Sequence, residues 1–223
     1  MHAVSRLLQL SDSAFPSGAF SHSFGLETAI REGRVRDGAD LERWLRAYLA
    51  GMLTPADGAA IALVMRGIPV RDVEEVLLAI ATCFEAREAS ARIGRAALAA
   101  YASMGLDSAR LAAYRAEIAG AACSGHAALA FALAAEAAAV PPGVAIEAYL
   151  SSALANIASA AVRAVPIGQR ACQRVLWNVR DALGAASKSA LRVDDLEALG
   201  SWAFDSEIDA QRHRLLDGRI FAS

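Results

Sequence analysis

The sequence predicts an all-α protein, a single-domain helical bundle of about eight to ten helices around one core. Three observations predict it. Apolar residues make up 56% of the chain and aromatics only 6%. Much of that apolar share is alanine, the residue with the highest intrinsic helix propensity. Apolar positions also recur at helical spacing, most clearly Leu41, Trp44, Leu45, Tyr48, Leu49, Met52 and Leu53, which fall on one face. No pair of strands and no fixed-period repeat interrupts the pattern. With 223 residues the chain can bury a sizeable core.

Val4 to Leu10 reads as a short apolar helix that stops at Ser11-Asp12. Pro16-Ser17-Gly18 then forces a loop. Ser21 is placed to cap a helix from about His22 to Arg31, and Gly33 marks its end. Asp40 opens the amphipathic stretch to Leu53. Thr54-Pro55 reads as the N-cap and first position of a further helix to Met65, stopped at Gly67-Ile68-Pro69. Asp72 starts the next, with Val73, Val76, Leu77, Ile80 and Phe84 as its stripe. After the charged interval Glu85-Ala86-Arg87-Glu88, the positions Ile93, Ala97, Tyr101 and Met104 keep helical spacing, compatible with one long or kinked helix. Asp107 caps the following one, with Leu111, Tyr114 and Ile118 inward.

Gly120 and Gly125 bracket a break. His126 to Ala139 is apolar nearly all round, as a central helix is. Pro141-Pro142-Gly143 ends it. Ile146 to Val165 is the next helix, Pro166-Ile167-Gly168 a corner, and Cys172, Val175, Leu176, Val179 and Leu183 another helical face. Ala185 to Ala190 reads as a loop carrying the only lysine, Lys188. Asp194 to Leu199 reads as one turn. The expected division is a helical body over residues 1–200 and a C-terminal tail over 201–223.

Composition narrows the function classes. The net charge is −2 and no basic block occurs, which argues against a nucleic-acid footprint. Cys83, Cys123 and Cys172 are few and widely spaced, as expected in a reducing cytosol. The N-terminus lacks the pattern of a signal peptide. From Ile118 to Ala135 there are 18 residues without Asp, Glu, Lys or Arg. Most are Ala, Gly or Ser, so a buried helix and not a membrane span is expected.

A P-loop needs glycines to cradle phosphates and a lysine after them. The sequence has no G-x-x-x-x-G-K-[ST], so no nucleotide hydrolysis by this chain is expected. Cys123 and His126 form the one local pair with metal-ligand spacing. They read as a buried thiol and a hydrogen-bonded core histidine, or alternatively as nickel ligands. Asp12, Ser21 and His22 are the residue types of a hydrolytic triad; the plainer reading is a loop pinned by hydrogen bonds. Arg87, Glu88 and Arg92 offer either a solvated ion-pair face or a partner surface. Arg163 ends an apolar helix, held by carboxylates or carbonyls or presented to a partner. Arg219-Ile220-Phe221 leaves two large apolar residues near the chain end, to dock on the chain's own core or on another protein.

Leu7, Leu8, Gln9, Asp12, Pro16, Gly18, Phe20, His22, Ser23, Gly25, Leu26 and Glu27 resemble the N-terminal motif of the urease accessory protein UreF family. The resemblance continues at Arg87-Glu88 through Arg92, Gly94 and Arg95, at Gly125-His126, over Ala161 to Pro166 with Gly168-Gln169, and at Ile208, Arg212, His213, Leu215, Arg219, Phe221 and Ser223. It implies an all-helical, dimeric, cytosolic protein that is not itself an enzyme and carries no cofactor. It implies assembly with a UreD (or UreH) protein, the GTPase UreG and apo-urease, helping nickel reach a carbamylated active-site lysine and modulating GTP hydrolysis in the partner. Candidate partner contacts are then Asp12, Pro16, Gly18, Phe20, Ser21, His22, Glu27, Arg87, Glu88, Arg92, Arg163, Gln169, Arg212, Arg219 and Phe221. Gly25, Pro166 and Gly168 are structural, and Arg92 or Arg163 could serve the GTPase as an arginine finger. The rival readings are a helical hydrolase using Asp12, Ser21 and His22, and a homodimeric helical scaffold without a metal role.

Overall fold

A computed structural model describes residues 2–222; Ser223 lies outside them. The described residues contain twelve α-helical segments and no strand. They are α1 (His2–Leu10), α2 (Leu26–Arg31), α3 (Gly38–Tyr48), α4 (Ala59–Met65), α5 (Val70–Ile80), α6 (Phe84–Ser103), α7 (Ala109–Ala119), α8 (Ala127–Ala137), α9 (Pro142–Ala164), α10 (Gln169–Asn178), α11 (Arg180–Ala190) and α12 (Phe204–His213).

The centre is α8. Ala128 through Ala135 are all buried, so its whole circumference is covered. Alanines on α8 let α4 and α6 pack directly against it, with α7 and α9 alongside. Leu129 and Leu133 are the large buried side chains of this helix; cutting either to alanine would cost about 2–5 kcal/mol. The approach of α6 is closest at Gly94. A Cβ there would stand 2.0 Å from the Gly125 carbonyl oxygen.

Several boundaries differ from expectation, each for a local reason. Thr54-Pro55 does not start a helix. The rod Gly38–Met65 runs unbroken for 28 residues, and Leu49–Gly58 within it widens to π geometry. Pro55 has no N–H for the Gly51 carbonyl, which accepts instead from the Trp202 amide at 2.7 Å. The Pro55 carbonyl accepts from Gly200 at 3.2 Å. The widened turn is thereby satisfied by residues 200–202.

Asp37, not Asp40, caps α3, accepting from Ala39 and Asp40. Ser108, not Asp107, caps α7. Helix α5 begins at Val70 rather than at Asp72, and residues 81–83 separate it from α6. Residues 185–190, with Lys188, are helical and not a loop. The face from Cys172 to Leu183 is split between α10 and α11.

Two helices, Gly38–Met65 and Pro142–Ala164, are long and apolar enough to cross a membrane by length and composition. Both are core helices here, with 61% and 44% of their apolar windows buried in the bundle. The charge-free stretch from Ile118 to Ala135 is interrupted between α7 and α8.

Candidate functional site

The N-terminal motif folds as a loop, a short turn and a helix start. Asp12 Oδ1 accepts from the Ala14 amide at 2.8 Å, and Phe15 packs on Tyr101. A 3₁₀ turn spans Ala19–Ser21. Ser21 therefore does not cap α2, which begins at Leu26 with Gly25 as its N-cap; the Ser23 Oγ accepts from the Glu27 amide at 3.4 Å. Gly25 has φ +91° and lies under α12: a Cβ would stand 2.7 Å from the Ser206 carbonyl oxygen. Only glycine allows both the left-handed backbone and this approach.

Onto this motif folds the C-terminal tail. Glu27 is 1% exposed, yet its carboxylate is fully engaged. Oε1 accepts from the Ile220 amide at 2.9 Å, and Oε2 from the Phe221 amide at 3.1 Å. The buried ring of His213 lies between two carboxylates, Nε2 3.0 Å from Glu27 Oε2 and Nδ1 3.0 Å from Glu85 Oε2. Arg219 closes the chain of charges by donating to Glu85 Oε1 at 2.8 Å. Phe221 is buried, and the Ala222 amide donates to the Ser21 carbonyl at 2.9 Å.

Arg163 covers the junction. Its guanidinium stacks 3.9 Å from the Phe20 ring centre and 4.4 Å from that of Phe221. Its Nη2 donates to the Phe20 carbonyl at 2.6 Å. Beside it, Thr28 donates to the Asp209 carbonyl and Arg34 forks onto the Asp209 carboxylate, tying α2 to α12.

Burial alone would push the Glu27 carboxyl up, but the Ile220 amide, the His213 ring and the Phe221 amide together hold it below its usual value. Glu85 shows the same balance, with His213 and Arg219 prevailing over burial. His22 is lowered to about 4, first by burial, then by Arg92 and His213 nearby.

The residues singled out from sequence thus fall into groups. Phe20, Ser21, His22, Glu27, Arg163, Arg219 and Phe221 meet in this clasp. Asp12, Pro16 and Gly18 lie on the exposed preceding loop. Asp12 serves its own turn, and Ser21 points its carbonyl at the tail. Arg87 donates to the Ala81 carbonyl at 3.2 Å. Glu88 and Arg92 are exposed and do not pair with one another among the described residues. Arg212 reaches Glu32 at 3.5 Å. Pro166 and Gln169 are exposed, and Gly168 has φ −69° with open space around it, so its geometry does not demand glycine.

Cys123 and His126 serve the loop before α8. Cys123 Sγ lies 3.4 Å from Glu117 Oε2, and His126 Nδ1 accepts from the Ala128 amide at 3.3 Å. No group of three His, Cys, Asp or Glu side chains suited to a metal occurs among the described residues. The same loop wraps a carboxylate absent from the sequence reading. Glu74 Oε1 accepts from the amides of Ser124, Gly125 and His126 at 3.0, 2.9 and 3.1 Å, and Tyr114 donates to Oε2. Glu85 was equally hidden, inside a charged run that reads as a solvated face.

Fold and site define an all-helical protein in which a buried polar cluster fastens the C-terminal segment onto the N-terminal motif. A sequence model of the family described as UreF matches residues 35–180. The chain is 38% identical over 219 residues to the urease accessory protein UreF of Paenarthrobacter aurescens, covering 97% of this chain and 96% of that one. It is 36% identical over 228 residues to that of Lachnoclostridium phytofermentans, covering 99% and 98%. The chain belongs to the UreF family of urease accessory proteins.

Proposed function

We propose that this chain is a non-catalytic, cofactor-free subunit of a cytoplasmic urease-maturation complex. It acts as a homodimer that joins a UreD/UreH-type protein to the GTPase UreG and engages apo-urease during nickel insertion. Family membership supports the urease assignment. The observation that carries the assembly reading is the clasp: it fixes a surface on which Phe20, Leu215 and Ile220 stay 49%, 73% and 51% exposed. Large apolar groups held rigidly in solvent suit a partner interface. In this reading residues 201–223 belong to the partner-binding region.

The lack of a P-loop motif fits GTP chemistry in the partner. Arg163 is occupied between Phe20 and Phe221, which leaves exposed Arg92 as the arginine-finger candidate. Co-purification with UreD-type and UreG-type proteins tests the assembly. Ile220→Asp, which leaves the backbone clasp intact, should abolish UreD capture, and undiminished capture would count against this surface. Arg92→Ala should slow GTP turnover by the assembled complex; unchanged turnover removes the finger.

A further inference from the structure

Under the N-terminal motif lies a cavity of about 190 Å³ that the clasp does not use. Its walls come from α1, α3, the π segment, α5, α6, α8, α9 and α12, and the loop of Asp12, Ser13 and Ser17 forms one side. Most of the wall is apolar, with Leu10, Phe15, Leu53, Phe131 and Ile157 among its residues. Several polar groups stand in this wall. Tyr149 donates to Asp57 Oδ2 at 2.9 Å. Tyr48 and Tyr101 line the same cavity, are only 6% and 2% exposed, and act electrostatically on Tyr149.

These groups are incompletely satisfied by the protein. The hydroxyls of Tyr48 and Tyr101 and the second oxygen of Asp57 have no hydrogen-bond partner among the described residues. None is sealed off, since Arg115 Nη1 is the single described side-chain atom both fully buried and unpartnered. These polar atoms therefore open onto the cavity. Burial pushes the Asp57 carboxyl above its usual value, against the pull of His126 and Tyr149. A buried polar group without a partner is costly, so buried groups are nearly always satisfied by protein, water or ligand. An apolar cavity of roughly 150 Å³ already accommodates benzene.

We propose that this cavity is a binding site for a small neutral planar molecule bearing one amide-like group. Its carbonyl oxygen accepts from the Tyr48 and Tyr101 hydroxyls, its N–H donates to Asp57, and its apolar body lies against the Leu53 and Phe131 side. The site is built by this chain's own residues, and Ser206, Glu207 and Ala210 of the C-terminal segment line part of it. A ligand there packs beneath Phe15 and so bears on the loop that precedes the clasp.

The probe is benzamide, titrated into the full chain by calorimetry and ligand-observed NMR. Saturable one-to-one binding is expected, with benzoate bound at least several-fold more weakly because a carboxylate lacks the N–H that donates to Asp57 and its charge is costly to bury. Tyr48→Phe and Tyr101→Phe keep the shape of the wall and remove one hydroxyl each. Each should weaken benzamide by between about threefold and tenfold; circular dichroism confirms the fold, and if one variant fails to fold the other decides. Arg174→Ala, on the far surface of α10, should bind as the parent does. Absence of saturable binding, as when the cavity takes water alone, overturns the proposal. So does equal affinity for the parent and the folded phenylalanine variant, or benzoate bound as well as benzamide.

Discussion

Glu27 and Glu74 are both 1% exposed, and both have backbone amides as donors. Their surroundings nonetheless differ in kind. The backbone donors to Glu74 come from three consecutive residues, 124 to 126, on a loop pressed against Gly94. Its further donors are the Ser124 and Tyr114 hydroxyls. Such a nest is part of the bundle: it joins α5, which carries Glu74, to the loop that packs on α6 and leads into α8. The donors to Glu27 are the amides of Ile220 and Phe221 and the ring of His213, all in the last segment of the chain. That segment can leave without taking the core with it. One carboxylate staples the fold; the other holds a movable end.

The largest expected effect separates the two most sharply. Glu74→Leu leaves three backbone N–H groups without an acceptor, that of Gly125 buried and those of Ser124 and His126 part-buried, at up to about 1–3 kcal/mol each. Global stability by urea unfolding should fall by more than about 3 kcal/mol. Gly94→Ala should act in the same direction, because a methyl at 2.0 Å from the Gly125 carbonyl displaces the loop itself. A loss below about 1 kcal/mol in both would mean that the nest is not a staple.

Glu27→Gln comes next. It keeps the shape, removes the charge facing His213 and spoils one acceptor for the tail amides. A cost of about 1–3 kcal/mol is expected, expressed locally. Hydrogen exchange at Ile220, Phe221 and Ala222 should accelerate while the amides of 124–126 keep their protection. Equal loss of protection at both places would erase the distinction between staple and movable end.

Acid should separate them too. Glu27 and Glu85 are depressed in the folded state. Their contribution is present above the unfolded carboxylate value near ~4.3 and is lost as pH falls through the lower folded values. His22 works at higher pH. Its folded value is about 4 against 6.5 when free, so any state that frees the ring takes up a proton below 6.5. Stability from burying His22 neutral is complete above 6.5 and declines between 6.5 and about 4. His213 acts electrostatically on His22, so opening of the clasp should become easier across that window. The tail amides should lose protection at a higher pH than 124–126; His22→Phe should remove the early part of the change.

Much of this fold was legible because large apolar side chains at helical spacing betray α3, α5, α9 and α10. The misses have physical causes. Residues 185–190 contain only Ala, Ser and Lys, so no large side chain marks a face. Pro55 looked like a helix start because a proline with its carbonyl problem solved 147 residues away cannot be read locally: Trp202 supplies the missing donor to Gly51. At the site, Arg163 and Phe221 were visible by their position, and Glu27 and Arg219 through the resemblance to the UreF family. Their meeting was not, since Glu27 lies 186 residues from His213 and 194 from Phe221. Gly25 could be named but not explained until α12 was seen lying on it.

The smallest expected effect tests the lid of the clasp. Arg163 makes one hydrogen bond to the Phe20 carbonyl and holds its guanidinium over two rings, one from the motif and one from the tail. Arg163→Lys keeps the charge but loses the plane that lies against both rings. The cost should be only about 0.5–1 kcal/mol, since the site is partly exposed. That is enough to speed exchange of the Ala222 amide a few-fold while leaving Glu74's loop untouched. Were Arg163 merely a surface charge, lysine would serve equally and the Ala222 amide would exchange at the parent rate. Arg163→Ala should add a further loss, because Phe20 and Phe221 would no longer share a neighbour and more of the junction would rest on the bonds to Glu27 and to the Ser21 carbonyl.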